Sequence, residues 1–355
     1  MEEGNLTDMR ILERSAPDPI RDLILERFQH LNDNSSLRVL DLFCGCGGMS
    51  FGLQQSGLDV VAGIDIWDKA IKSYGKNFPH LAICDDIQKL SPEIFREKFN
   101  ILHPIDIIVG GPPCQGFSIA GKRDPKDPRN SLFMEYVKYL DYFQPKMFLM
   151  ENVIGILSMK TENGTNVIQI IMEELSKSYN CIITKLYASD FEVPQNRRRV
   201  IIIGIRKDLG IMPREPKKIL KEKDRISIRT ILLSKEEVPN EYFLSEKAIL
   251  GIKNKIERSK TKKHGFGAQF LNMDKPSFTI PARYWKDGYD ALVKYNEEEI
   301  RRLTILELKR IQTFPDDYIL EGSKKDIIMQ IGNAVACRFA YHLGKYIQNT
   351  LNNLQ

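Results

Sequence analysis

Six short apolar runs pace the chain from Leu37 to about Gly204, at Arg38 to Phe43, Val60 to Ile64, Ile105 to Val109, Met147 to Met150, Cys181 to Ala188 and Val200 to Ile203. Between them lie segments with helix-type apolar spacing, such as Leu132 to Phe143 and Val167 to Leu175. Strands alternating with helices specify an α/β fold, a doubly wound sheet with helices on both faces. In such a sheet the strands' carboxyl ends are where ligands are expected. After Gly204 the rhythm gives way to a Lys-rich, irregular stretch, then resumes with Leu303, Leu306, Leu308 and Ile311 on one helix and a last helical segment from about Asn333. The expected layout is a cofactor-binding and catalytic domain over 1–205, a smaller inserted domain over 206–299, and a segment 300–355 that completes the first domain. Residues 1–35 are an N-terminal extension, in which Ile20, Leu23, Ile24, Phe28 and Leu31 mark one amphipathic helix.

Charged residues make up 28% and apolar residues 42% of the 355 residues, the balance of a soluble globular protein. No apolar stretch approaches the roughly 18 residues that span a bilayer, and the N-terminus lacks a signal-peptide pattern, so a cytoplasmic protein is expected. The six cysteines, at 44, 46, 84, 114, 181 and 337, form no Cys-x-x-Cys unit and have no His cluster beside them, so no metal is expected. Net charge is +5 overall, yet 206–280 alone holds 18 Lys or Arg against 10 Asp or Glu. The excess positive charge is therefore regional, as suits a polyanion partner.

Gly110 to Ser118 reads Gly-Gly-Pro-Pro-Cys-Gln-Gly-Phe-Ser directly after a strand, where two prolines force the chain out of the sheet and present Cys114 at its edge. A buried structural cysteine in a tight turn is the alternative. The polar loop Ile119 to Arg129 follows and reads as a lid. Asp41 to Gly48 is a glycine turn opening a helix after the first strand, Asp65 ends the second, and Asp86 with Ile87 follows a third apolar run. Together they outline a nucleoside site, and the spacing does not fit Gly-x-Gly-x-x-Gly, which favours a cofactor without a pyrophosphate such as S-adenosylmethionine. Glu151 follows the run Met147 to Met150 and would share Cys114's edge, placed to hold or give a proton. In Gln195-Asn-Arg-Arg-Arg199, Arg197 and Arg199 point to one side, two guanidinium groups suited to phosphate or base recognition.

These blocks, with Arg302 to Thr304, Gln312 to Asp316 and Gln330 to Val335, make the chain resemble the DNA cytosine-5 methyltransferases of bacterial type II restriction-modification systems. The resemblance implies a Rossmann-like mixed sheet with an inserted target-recognition domain over 206–299, its variable part at 206–275. It implies that Cys114 attacks C6 of a flipped-out cytosine, that Glu151 binds the N3 edge, that Arg199 supports the O2 side and that Arg197 helps hold the site. It places Phe43 and Ile66 about the adenine of S-adenosylmethionine, Asp65 at the ribose and Asp86 with Ile87 at the adenine edge. Gly45, Gly47 and Gly48 face the methionine part, Asn333 closes the pocket, and the product is S-adenosylhomocysteine. It further implies a monomer acting on double-stranded DNA, with a cognate endonuclease acting separately at the same site. A tRNA-modifying branch of the family carries Cys-Phe-Thr in its recognition region, and no such tripeptide occurs here. A nicotinamide-dependent oxidoreductase would explain the glycine turn but not the Pro-Pro-Cys loop. An inactive homologue would need a lesion in Cys114, Glu151 or the turn.

Overall fold

Seven strands form one sheet: β1 (Arg38–Leu42), β2 (Asp59–Asp65), β3 (Leu81–Cys84), β4 (Ile107–Gly110), β5 (Met147–Val153), β6 (Tyr179–Tyr187) and β7 (Arg198–Arg206). The computed structural model describes residues 37–113, 132–161, 164–261 and 268–352, the side chains of 255–261 and 287 excepted. Cys114, the expected lid and the expected N-terminal helix lie outside the described residues. Strand order is β3-β2-β1-β4-β5-β7-β6, with β1 to β5 parallel and β7 antiparallel to both its neighbours. This is the expected mixed, Rossmann-like sheet, and its order reverses between β1 and β4, which opens a crevice at their carboxyl ends.

Alternate residues of each strand feed two cores. Leu40, Leu42, Ile108, Phe148 and Ile202 pack on one face against α4 (Leu132–Phe143) and α5 (Val167–Leu175). Val39, Ile107, Leu149, Ile201 and Ile203 pack on the other against α1 (Gly48–Gln55) and the C-terminal α10 (Cys337–Asn352). A strand buried on both faces reads as a continuous apolar run. Between these elements come α2 (Asp68–Asn77), which packs behind the glycine turn, and α3 (Pro92–Lys98).

A second core gathers Ile228, Leu271, Ile280 and Tyr284 with Leu308, Ile311, Ile328 and Ile331. Its elements are α7 (Tyr284–Asp287), α8 (Ile305–Ile311), α9 (Lys324–Asn333) and a hairpin of β8 (Leu292–Lys294) with β9 (Ile300–Arg302), while α6 (Glu246–Thr261) packs Ile249 and Ile252 in a small separate cluster on Leu292 and Ile300 of that hairpin. The hairpin straddles the line between 299 and 300.

Two expectations are corrected. Glu151 does not follow its strand but lies within it, because β5 pairs with antiparallel β7 as far as Val153 opposite Arg199, and that neighbour carries the ladder past the last apolar residue. Asn333 does not open the last helix but ends α9; Ala334 then turns extended (φ −61°, ψ 148°) and α10 starts at Cys337.

Candidate active site

The glycine turn leaves β1 through left-handed backbone at Phe43 (φ 61°), Gly45 (φ 56°) and Gly47 (φ 94°). A side chain on Gly45 would meet nothing within 4 Å, so this part of the turn faces open space. Gly47 and Gly48 are closed in instead: a Cβ on Gly47 would overlap Phe78 and Tyr318, and one on Gly48 the Val335 carbonyl. What these two glycines permit is close packing of the turn onto the C-terminal blocks, where the Tyr318 hydroxyl also donates to the Cys46 carbonyl.

Asp65, at the end of β2, holds the turn from its other side. Its Oδ2 accepts from Gly45 N at 2.8 Å and its Oδ1 from Trp67 N at 2.9 Å. Burial raises its pKa, opposed by these amides. Each carboxylate oxygen retains a lone pair for a further donor. Beside it Ile66 is 68% exposed, an apolar side chain left at the rim of the crevice. Phe43 is half-buried against the core. Asp86 Oδ1 accepts from Gln88 N at 3.1 Å, while the Ile87 side chain is buried in the core, which leaves only its backbone to face a ligand. Asn333 is exposed at the end of α9. The open space at Gly45, the spare acceptors of Asp65 and the exposed Ile66 fit a nucleoside with an apolar base and ribose hydroxyls.

Along the same edge, β4 leads into Gly111, where a Cβ would stand 3.2 Å from Glu151 Oε2. Asn152 Nδ2 donates to the Pro112 carbonyl at 3.1 Å, so β5 holds the first proline of the Pro-Pro turn. Arg199, which enters on antiparallel β7, brings its Nε within 2.5 Å of Glu151 Oε1, and both side chains are largely buried. That nitrogen is not aligned for a hydrogen bond, so the contact is one of charge. Its Nη1 donates to the Arg198 carbonyl at 2.7 Å. Glu151 is therefore not a lone carboxyl in apolar surroundings but an acceptor held by a cation.

Arg197 departs from the expected pair of outward guanidinium groups. It is buried, donating from Nη1 to the Ile280 carbonyl at 3.4 Å and from Nη2 to the Gly332 carbonyl at 3.1 Å. Burial, with the Arg199 charge beside it, pulls its pKa well down. Parity along a strand tells which side a residue takes but not how deep that side is. Arg197 clamps the Ile280 backbone to the end of α9.

Two side chains in the quoted blocks, given no role from sequence, complete the clamp. Gln195 is fully buried; its Nε2 donates to Gln312 Oε1 at 3.0 Å and its Oε1 accepts from Ile280 N at 3.0 Å. Gln312 Nε2 in turn donates to the Ile331 carbonyl at 2.8 Å. A buried amide that satisfies three chain segments leaves no periodic signal, and polar neighbours such as Asn196 and Thr313 hide it further.

A family model described as C-5 cytosine-specific DNA methylase matches residues 37–349. The chain is 32% identical to the type II methyltransferase M.DdeI of Desulfomicrobium norvegicum over 90% of each chain. It is 34% identical to M.FnuDI of Fusobacterium nucleatum over 89% of this chain and 96% of that one. The solved S. pombe Dnmt2 methyltransferase superposes with a TM-score of 0.68 at 22% identity, covering 89% of this chain and 99% of that one, a likeness of fold.

Proposed function

The chain belongs to the C-5 cytosine-specific DNA methylase family and is a DNA cytosine-5 methyltransferase of the type II kind; from that premise we propose that it methylates a cytosine flipped out of a specific double-stranded DNA sequence, through a covalent adduct on Cys114. The observation that carries this reading is the Glu151–Arg199 pair, 2.5 Å apart, beside Gly111 at the mouth of the Pro-Pro turn. A carboxyl group and a cation at one strand edge match the N3 and O2 edge of a cytosine ring, with one proton shared between the carboxyl and N3, which are both acceptors when unprotonated, and the next residues of the turn lead to Cys114.

The thiolate of Cys114 forms a bond to C6, and the electron pair of the C5–C6 double bond is left on C5. Glu151 at N3 and Arg199 at O2 stabilise the activated ring, while Arg197 keeps the strand start in place. S-adenosylmethionine, when bound, supplies an electrophilic methyl group and leaves as S-adenosylhomocysteine. The C5 proton is then lost and Cys114 departs as a thiolate, restoring the aromatic ring. Covalent catalysis divides one hard substitution into easier steps. Flipping exposes C6 at a cost of a few kcal/mol, about what contacts to the vacated duplex must offset.

For the cofactor, Phe43 and Ile66 flank the adenine, Asp65 takes ribose hydroxyls, and Asp86 with the Ile87 backbone meets the adenine edge. Gly45 and the backbone of the turn that Gly47 and Gly48 pack in place face the methionine part, and Asn333 closes the pocket. Residues 206–299 act as the target-recognition domain between 1–205 and 300–355. The enzyme works as a cytoplasmic monomer and protects its host's DNA from a cognate endonuclease. No helix among the described residues is long and apolar enough to cross a membrane.

Unmethylated plasmid DNA with tritiated cofactor tests the chemistry. Cys114→Ser abolishes transfer while cofactor binding persists, Glu151→Gln lowers the chemical rate far more than DNA affinity, and DNA carrying 5-fluorocytosine traps a covalent adduct on the wild type. Substantial turnover by Cys114→Ser sinks the nucleophile assignment.

A further inference from the structure

Between Pro216 and Ile228, where the second core begins, the chain crosses as an almost wholly exposed strap. Apolar packing does not hold it, since Lys217, Lys218, Ile219 and 221–224 are all exposed. One buried carboxylate does. Asp190, in the tight turn Ala188–Phe191 directly after β6, has a side chain only 2% exposed. Its Oδ1 takes Arg225 through Nε at 2.8 Å and Nη2 at 2.6 Å, and its Oδ2 lies 3.1 Å from Lys218 Nζ, a contact of charge not aligned as a hydrogen bond. Its main-chain carbonyl accepts from Ile219 N and Leu220 N, both at 3.0 Å. The Arg225 guanidinium also lies 5.7 Å from the Tyr187 ring centroid, and Arg198 of β7 lies 5.9 Å from that same centroid. In the same turn Ala188 N donates to the Arg197 carbonyl at 2.9 Å.

We propose that Asp190 is a positioning residue that latches the entry of the recognition segment onto the strand start bearing Arg197 and Arg199, and so sets where the base-reading side chains stand relative to the target cytosine. This rests on the reading of 206–299 as the recognition segment. A buried carboxylate with two cations adds little net stability compared with an apolar filling, but it admits one geometry. Misplacing a substrate by about 1 Å is enough to cost large factors in rate, so a loosened strap registers in DNA handling before it registers in folding.

The test uses the full chain and two variants, Asp190→Asn and Arg225→Gln, the second on the exposed strap so that a folded protein is retained. Hydrogen exchange reads the latch: the amides of Ile219 and Leu220 exchange at least roughly tenfold faster in Asp190→Asn. Steady-state transfer to unmethylated plasmid DNA, with bisulfite mapping, reads its role: KM for DNA rises roughly tenfold and methylation spreads to sites one base away from the main one, while kcat and cofactor KM stay within about twofold. Arg225→Lys recovers part of the loss, and the double variant is no worse than the worse single one. Unchanged exchange at Ile219 and Leu220 overturns the latch, and so does a fall in kcat with KM for DNA unmoved. If the wild type transfers no methyl to DNA while exchange accelerates as stated, the latch stands and the assigned function falls.

Discussion

Glu307 offers the sharpest test of how the C-terminal segment is held, because its carboxylate is fully buried and every donor around it is identified. Arg301 Nη1 donates to Oε2 and Nη2 to Oε1, both at 2.8 Å, and neither side chain has any exposure. Thr304 N donates to Oε2 at 2.8 Å, as part of the capping box that starts α8. Leu233 N, from the inserted segment, donates to Oε1 at 3.0 Å. Glu307→Gln keeps the shape and removes the charge. Its single carbonyl oxygen can serve two of these four donors, and its NH2 would face the other two. Buried donors left unmade cost about 1–3 kcal/mol each, and a buried guanidinium stripped of its partner puts the total at about 3–5 kcal/mol.

Urea unfolding followed by near-UV circular dichroism reads the change as a lowered midpoint at unchanged slope. Glu299→Gln is the control: its partner Lys235 is 2.6 Å away but half exposed and screened by water, so losing that pair leaves the midpoint nearly unchanged. Arg301→Met with Glu307→Leu, which removes both charges and keeps the volume, recovers only the part of the loss due to the stripped guanidinium, since the amides of Thr304 and Leu233 stay unpaired. A Glu307→Gln protein within about 1 kcal/mol of wild type would refute the reasoning, since four buried donors would then have found other partners.

Two further outcomes follow from the cofactor turn. Gly48→Ala drives a methyl group into the Val335 carbonyl, which is backbone and yields little; S-adenosylhomocysteine affinity measured by calorimetry drops with the melting temperature, whereas an unchanged affinity would show that the turn does not depend on this packing. Burial pushes the Asp41 carboxyl up from 3.8 to about 7, so its contribution to stability is full below about pH 4 and is lost as pH rises to about 7. Asp41→Asn removes that decline, which denaturation at pH 5 and at pH 7 measures; an identical decline in the variant would assign it to another group.

Much of the sheet and several helices are legible in sequence for one reason: burial on one face prints a period. Leu132–Phe143 and Val167–Leu175 appear with their ends where the apolar spacing stops. The Glu151–Arg199 contact is not legible in that way, because it depends on β7 entering antiparallel to β5 in the one register that sets Val153 opposite Arg199. Periodicity names the residues of each strand without naming the neighbour or its direction. Arg197 shows the same limit in depth, and Gln195 and Gln312 in kind: a polar side chain satisfied inside the protein looks in sequence like one left in water. The strap at 217–225 carries its anchor in another block altogether, so no local pattern reveals Asp190 as its partner.

The cofactor turn and the C-terminal blocks are not separable units. Gly48 meets Val335, Cys46 donates through its thiol to the Gln330 carbonyl at 3.8 Å, and Gly52 and Gly344 let α1 and α10 cross so closely that a methyl group on either would overlap its neighbour. The glycine turn is thus built by contacts between the two ends of the described chain, with residues 206–299 lying between them in sequence. Both ends of the stretch 206–299 are tied to the sheet. Arg197, reaching Ile280 and Gly332 together, pins the exit; Asp190, reaching Lys218 and Arg225, pins the entry. Both pins spring from the short stretch between β6 and β7 that also delivers Arg199 to Glu151. A displacement of residues 217–225 or of Ile280 therefore reaches the strand edge bearing Glu151 and Arg199 through the stretch between β6 and β7, not through the glycine turn.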